Sequence, residues 1–202
     1  MKKKDIFLII ILIILLVLVI VGIKTNYFYD LDLTVLDNIK QIRSNTLTKI
    51  MILVSELCSI PFLFIIGLIV IIRNKNKLMT KLVLFNSLGV FGLNFIIKSI
   101  FKRPRPFSYM LIDENYYSLP SSHTMIGICF YSIVVYIIWK HINNKQMKNI
   151  LIIIVYLIIL TICFSRIYLG VHYLTDVMTG MILSVIILLV EKKYLIKEEK
   201  YG

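Results

Sequence analysis

Long uninterrupted apolar runs constrain this chain more than any other feature of its sequence. Residues 6–23 are eighteen consecutive apolar or glycine residues, close to the roughly 20 needed to cross the hydrocarbon of a bilayer at about 1.5 Å per residue. Comparable segments recur at 50–72, 82–101, 121–139, 148–168 and 172–190. With 59% hydrophobic residues, against roughly 45–50% in soluble domains, a water-soluble domain and a disordered chain are both excluded. The expectation is an all-α bundle of six transmembrane helices forming one integral-membrane domain over residues 1–202. Lys2, Lys3 and Lys4 precede the first run, a pattern shared by secretory signals and anchors. That run is long for a signal core, and Lys24-Thr25-Asn26 offers no small-x-small cleavage site, so an uncleaved helix is expected.

The formal net charge of +12 would point to nucleic acid in a soluble protein, but here it sorts by loop. Fourteen of the 23 Lys and Arg residues lie at 2–4, 73–81, 140–148 and beyond 191, all on one side of a six-span topology. By the positive-inside rule that side is cytoplasmic, with both termini on it, and no nucleic-acid partner is implied. Five of the other nine basic residues crowd near the outer ends of the later spans: Lys98, Lys102, Arg103, Arg105 and Arg166.

Between the first two spans, Leu31, Val35, Leu36, Ile39 and Ile42 recur at helical steps, with Asp32, Asp37, Lys40 and Arg43 assigned to other faces. This predicts a short amphipathic helix at the outer interface. Cys58, Cys129 and Cys163 each lie in an apolar run, which argues against a disulfide framework or a thiolate metal site. Glu56 falls in the second span, where pairing with Asn86 or Asn94 of the next helix, or a neutral carboxyl, is expected.

Ionisable groups at or inside lipid-embedded helices are costly and mark candidate functional sites. Lys98, Arg105, His123, Arg166, His172 and Asp176 qualify, and the topology brings all six to the outer face. A spacing of four on one helix would let Asp176 hold the Nδ1 proton of His172 and leave Nε2 as a nucleophilic lone pair. Pro120-Ser121-Ser122-His123 precedes an apolar helix. Ser121 suits its N-cap, and the free amides of the first turn suit an anion. Lys98, Arg105 and Arg166 would repel one another unless an anion such as phosphate joined them. Each element alone also has a plain reading as an interfacial histidine, a capped helix or a snorkelling cation.

Together these residues carry a resemblance. Lys98-x6-Arg105-Pro106, Pro120-Ser121-Ser122-His123 and Ser165-Arg166-x5-His172-x3-Asp176 are similar, in spacing and order, to the three-part signature of the type 2 phosphatidic acid phosphatases. This is the membrane branch of a superfamily that includes bacterial acid phosphatases and vanadium haloperoxidases. One departure is Ser122, where the family often has glycine. The first 45 or so residues carry no matching motif.

The resemblance implies phosphate-ester hydrolysis through a phosphohistidine, without metal or other cofactor. His172 would be the nucleophile, Asp176 its orienting carboxylate and His123 the acid. Lys98, Arg105, Arg166 and the segment at Ser121 and Ser122 would bind phosphate. Its setting at a membrane face implies a lipid phosphate or diphosphate as substrate, with the bilayer as the other partner and no obligate protein partner. Undecaprenyl diphosphate is the preferred expectation. Phosphatidylglycerophosphate, phosphatidic acid and transfer to another acceptor are the alternatives.

Overall fold

The computed structural model describes the backbone of residues 2–73 and 77–201 and the side chains of 2–73 and 80–192. The basic stretches at 73–81 and beyond 191 therefore lie partly outside the described residues. No strand occurs among those described. Helix α1, Lys3–Lys24, is the first apolar run, and most of its side chains are exposed along its length, as expected for a lipid-facing helix. The Thr25 hydroxyl donates to the Val21 carbonyl at its end.

Helix α2, Tyr29–Gln41, is the amphipathic helix between the first two runs. The expected division of its faces needs correction. Asp32 is fully buried, together with Leu36, whereas Leu31 and Ile42 are exposed. The reason lies in the helical period: a step of four residues returns to nearly the same face, so Asp32 shares the inward side of Leu36.

The second run is not one straight helix. It divides into α3, Asn45–Glu56, and α4, Ile60–Arg73, bent by 45° across residues 57–59. Pro61 explains the break, because it has no N–H to give the carbonyl four residues earlier. That carbonyl, of Leu57, instead accepts the Tyr131 hydroxyl at 2.8 Å. Glu56 closes α3 in an exposed position, so its expected burial and its pairing with asparagines do not occur. Asn86 donates to Glu191 at 2.9 Å. Asn94 accepts from the Ser122 hydroxyl at 2.7 Å and donates to the Pro120 carbonyl at 3.3 Å.

Helix α5, Lys77–Leu84, continues through a π-helical turn at Phe85–Gly89 into α6, Val90–Phe101. Lys102, with φ of 49°, then leaves the helix ahead of Pro104, the usual way a chain turns out before proline. Helix α7, Ser122–His141, α8, Lys145–Tyr168, and α9, Leu174–Tyr201, form the core around Met125, Phe130, Ile162 and Val177. The connections between them are short, so neighbours run antiparallel.

Among the described residues five helices, counting Thr80–Phe101 as one, are long and apolar enough to cross a membrane, and the bent α3–α4 pair brings the number to six if it is one span. The alternation gathers the C-terminal ends of α6 and α8 with the N-terminal ends of α7 and α9. At the opposite end Lys192 of α9 pairs with Asp5 of α1 at 3.0 Å. The three cysteines are free and buried in the bundle.

Candidate active site

The four gathered helix ends enclose a cleft of about 710 Å³, lined among others by Lys98, Arg105, Ser122, His123 and His172. Five of the eight residues expected from the sequence thus share one cavity. Ser121, Arg166 and Asp176 do not line it. Each is buried directly behind residues that do.

His172 departs from its expected local setting. It precedes α9 rather than lying on it, because the helix begins at Leu174. Asp176 sets this start: as the third helical residue, its Oδ2 accepts the backbone N–H of Tyr173 at 3.0 Å, half of a capping box. The imidazole is 1% exposed, and its Nδ1 lies 3.5 Å from Asp176 Oδ2, longer than a hydrogen bond of good geometry. Its Nε2 lies 3.3 Å from Arg105 Nη1. A guanidinium can only donate, so Nε2 is the accepting nitrogen and the ring proton sits on Nδ1, toward Asp176. Burial, reinforced by the charges of Lys98, Arg105 and Arg166, holds the imidazole well below its usual pKa and therefore neutral at pH 7.

The carboxylate behind the histidine belongs to a larger unit. Arg103 donates to Asp176 Oδ1 at 2.7 Å, to Asp32 Oδ2 at 2.8 Å and to the Thr175 hydroxyl at 2.8 Å. Asp32 in turn accepts the Thr175 N–H at 3.0 Å and its hydroxyl at 2.6 Å. The surface helix α2 is thereby fastened through one guanidinium to the carboxylate beside His172. The sequence alone gives Arg103 no role beyond its nearness to the site, and the inward face of Asp32 differs from the outward one expected. The four-residue step from Asp32 to Leu36 was the available signal.

At the start of α7, Ser121 is the N-cap. Its Oγ accepts from Thr124 N at 3.4 Å, and its carbonyl accepts from Met125 N at 3.0 Å. Gly180 lets α9 cross closely here, since an added Cβ would lie 3.1 Å from the Ser121 carbonyl. Ser122, which lines the cleft, donates its hydroxyl to Asn94 Oδ1 at 2.7 Å. The Cys58 thiol donates to the His123 carbonyl at 3.2 Å, anchoring the histidine's backbone against the α3–α4 bend.

The cations are held by the segment between α6 and α7. Lys98 donates to the carbonyls of Tyr117 and Ser118, and Arg105 to those of Asn115, Tyr116 and Val171. Arg166, 1% exposed, donates to the Ser55 hydroxyl and to Glu114. Nothing in the sequence had marked Ser55 or Glu114 for these contacts. Among the described residues no three His, Cys, Asp or Glu side chains come together as a metal site.

With this geometry in place, the sequence model of the PAP2 superfamily matches residues 78–199. The chain belongs to the PAP2 superfamily. This PAP2 chain is 34% identical over 110 residues to phosphatidylglycerophosphatase B of Bacillus subtilis (strain 168), covering 52% of this chain and 54% of that protein. It is 37% identical over 95 residues to a dolichyldiphosphatase of Saccharomyces cerevisiae, covering 43% and 39%. The matches thus span about half or less of these two relatives. The fold is similar to the crystal structure of a transmembrane PAP2-type phosphatidylglycerolphosphate phosphatase from Bacillus subtilis, with a TM-score of 0.81, 28% identity and coverage of 96% and 97%. It also resembles Aquifex aeolicus LpxE in fold, with a TM-score of 0.63, 23% identity and coverage of 80% and 95%.

Proposed function

We propose that the protein is a membrane lipid phosphatase that removes a terminal phosphate through a phosphohistidine at the outer face of the plasma membrane. The observation that carries this reading is the single cleft in which His123, a neutral His172 and the cations Lys98 and Arg105 meet. An apolar groove of about 260 Å³ shares Cys58, Ile60, Phe91 and Ile126 with that cleft. A phosphate in the cleft can therefore keep an attached hydrocarbon tail within the bilayer.

In the first step the Nε2 lone pair of His172 attacks phosphorus in line. The bond from phosphorus to the leaving oxygen breaks, and His123, which enters the step as imidazolium because the bound phosphate dianion favours its charged form, supplies the proton that oxygen takes. Arg105 Nη1 must turn from Nε2 to a phosphate oxygen as substrate enters, freeing the lone pair. In the second step water, deprotonated by His123, attacks the phosphohistidine, releasing phosphate and restoring His172. Lys98, Arg105, Arg166 and the amides of Ser122 and His123 stabilise the equatorial oxygens in both steps, the neighbouring amide of Ser121 being held by the Asp176 carbonyl and those of Thr124 and Met125 by Ser121. Asp176 acts through charge, facing the ring proton as positive charge develops on the imidazole.

Phosphatidylglycerophosphate is supported by the Bacillus subtilis relatives, and a polyprenyl diphosphate such as undecaprenyl diphosphate by the dolichyldiphosphatase. Phosphate release by purified protein from these two lipids and from phosphatidic acid is the deciding assay. No release from any of them, or phosphate recovered only on an added acceptor, removes the hydrolase reading. Because protein cations neutralise the phosphate in this scheme, EDTA is expected to leave the rate unchanged. A chelator-sensitive rate reversed by added metal would require another mechanism.

His123→Ala is expected to slow turnover by about 10²–10⁴, the usual contribution of a positioned acid. It should still form phosphoenzyme from an ester with a good leaving group, because such an oxygen departs without a proton. Rapid-quench trapping checks this, and no phosphoenzyme from such an ester would reduce His123 to a structural role.

A further inference from the structure

Much of the hydrogen-bonding capacity of the cations that this mechanism reserves for phosphate is already taken up by one short stretch of chain, although Arg166 Nε is left without a partner. The Glu114 carboxylate lies between Arg166 and Arg105, paired with the first and 3.6 Å from Nη2 of the second. The residues that follow turn their carbonyls to the same set of cations. Asn115 takes Arg105 Nη2 at 3.1 Å, Tyr116 takes Arg105 Nε at 2.9 Å, and Tyr117 takes Lys98 Nζ. The stretch is fixed on both sides, by Leu111 N–H on the Leu169 carbonyl at 2.9 Å and by Ser118 N–H on the Arg103 carbonyl at 2.9 Å.

Gly170 makes the first anchor possible. Its φ is +68°, and a Cβ there would meet the Tyr109 carbonyl at 2.0 Å. Arg166 is buried to 1% exposure, whereas the Glu114 side chain is 25% exposed. The cation is therefore locked in the fold, while its carboxylate partner reaches water.

We propose that Glu114 is an internal stand-in for the substrate phosphate, which must displace it from Arg105 and Arg166 in order to bind. The inference rests on the reading of the cleft as a phosphate site and adds a residue that sets its affinity. A buried guanidinium requires an anion when the site is empty, and Glu114 provides one. A phosphate dianion and a carboxylate cannot share the same two forks without like-charge repulsion, so one leaves. Loss of the carboxylate's charge removes the competitor. If Glu114 instead oriented Arg166 in the loaded site, its loss would weaken phosphate binding, which is the opposite sign.

The test is calorimetric titration of the detergent-purified full chain with inorganic phosphate at fixed ionic strength, run beside the lipid assay. Glu114→Gln is expected to bind phosphate about tenfold more tightly than the parent, a conservative figure for removing one close charge partner. Equal or weaker binding by this variant, with the parent active on lipid phosphate, overturns the proposal and leaves the phosphatase reading intact. A parent that neither binds phosphate nor releases it from any lipid overturns both. Should the glutamine variant fail to fold, Glu114→Asp serves. With one methylene less it reaches the guanidiniums poorly, so tighter binding is again expected and unchanged binding again refutes. In Glu114→Ala, added acetate should occupy the vacated place and compete with phosphate, an effect the parent should not show.

Discussion

His172→Ala is expected to abolish phosphate release, lowering turnover by about four orders of magnitude or more, as removal of a nucleophile from a concerted unit does. The expectation rests on position. This imidazole is neutral by burial, has its ring proton directed to Asp176, and presents Nε2 toward Arg105 and the cleft. Of the other two histidines, His123 is the proposed acid and His141 ends α7 at the far side of the bundle. Because His172 is almost fully buried, the alanine variant leaves a void, and His172→Gln, closer in volume, separates chemistry from folding. Both variants should be inactive and form no acid-labile phosphoenzyme. Release at the parent rate by a folded His172→Gln protein would end the phosphohistidine scheme.

The second large effect is expected at Arg103, which carries none of the assigned chemistry. Asp32 and Asp176 are both fully buried, and Arg103 is the cation that bridges them. Arg103→Ala leaves two buried carboxylates facing each other without that cation, a change expected to cost about 3–5 kcal/mol. Thermal unfolding in detergent should register the loss, and activity should fall with it as Asp176 loses its fixed position beside His172. Arg103→Lys keeps the charge but cannot fork to both acids, so an intermediate result is expected. Asp32→Asn combined with Arg103→Ala should recover part of the stability lost, because one unpaired charge is gone. A melting temperature for Arg103→Ala equal to that of the parent would show that the bridge carries no weight.

The apolar runs made the helical bundle legible, since residues of that kind in unbroken stretches have no stable setting but lipid or a helical core. The spacing of the ionisable residues made much of the cleft legible too, because successive membrane-spanning helices alternate in direction and bring their charged ends to one side. Local backbone geometry was harder to read. Pro61, with Ser55, Glu56 and Ser59 just before it, could have warned that the second run bends, but apolar residues resume directly after it. The placement of His172 ahead of α9 depends on Asp176 capping the helix, a three-residue contact that a count of four conceals. Glu114 and Ser55 could not be found, because their roles come from the path of a long connection and from a neighbouring helix, neither of which leaves a period in the sequence.

The burial of all three native thiols has a practical consequence. Cys58, Cys129 and Cys163 have almost no exposed surface, although Cys58 borders the cleft and the apolar groove, so bulky maleimide reagents should label the folded parent slowly at most. A single cysteine introduced at exposed Tyr116 would then be a selective handle for a spin label or dye, with no native residue removed. Movement of the connection that carries Glu114 could thus be followed in real time, in bilayers and during turnover.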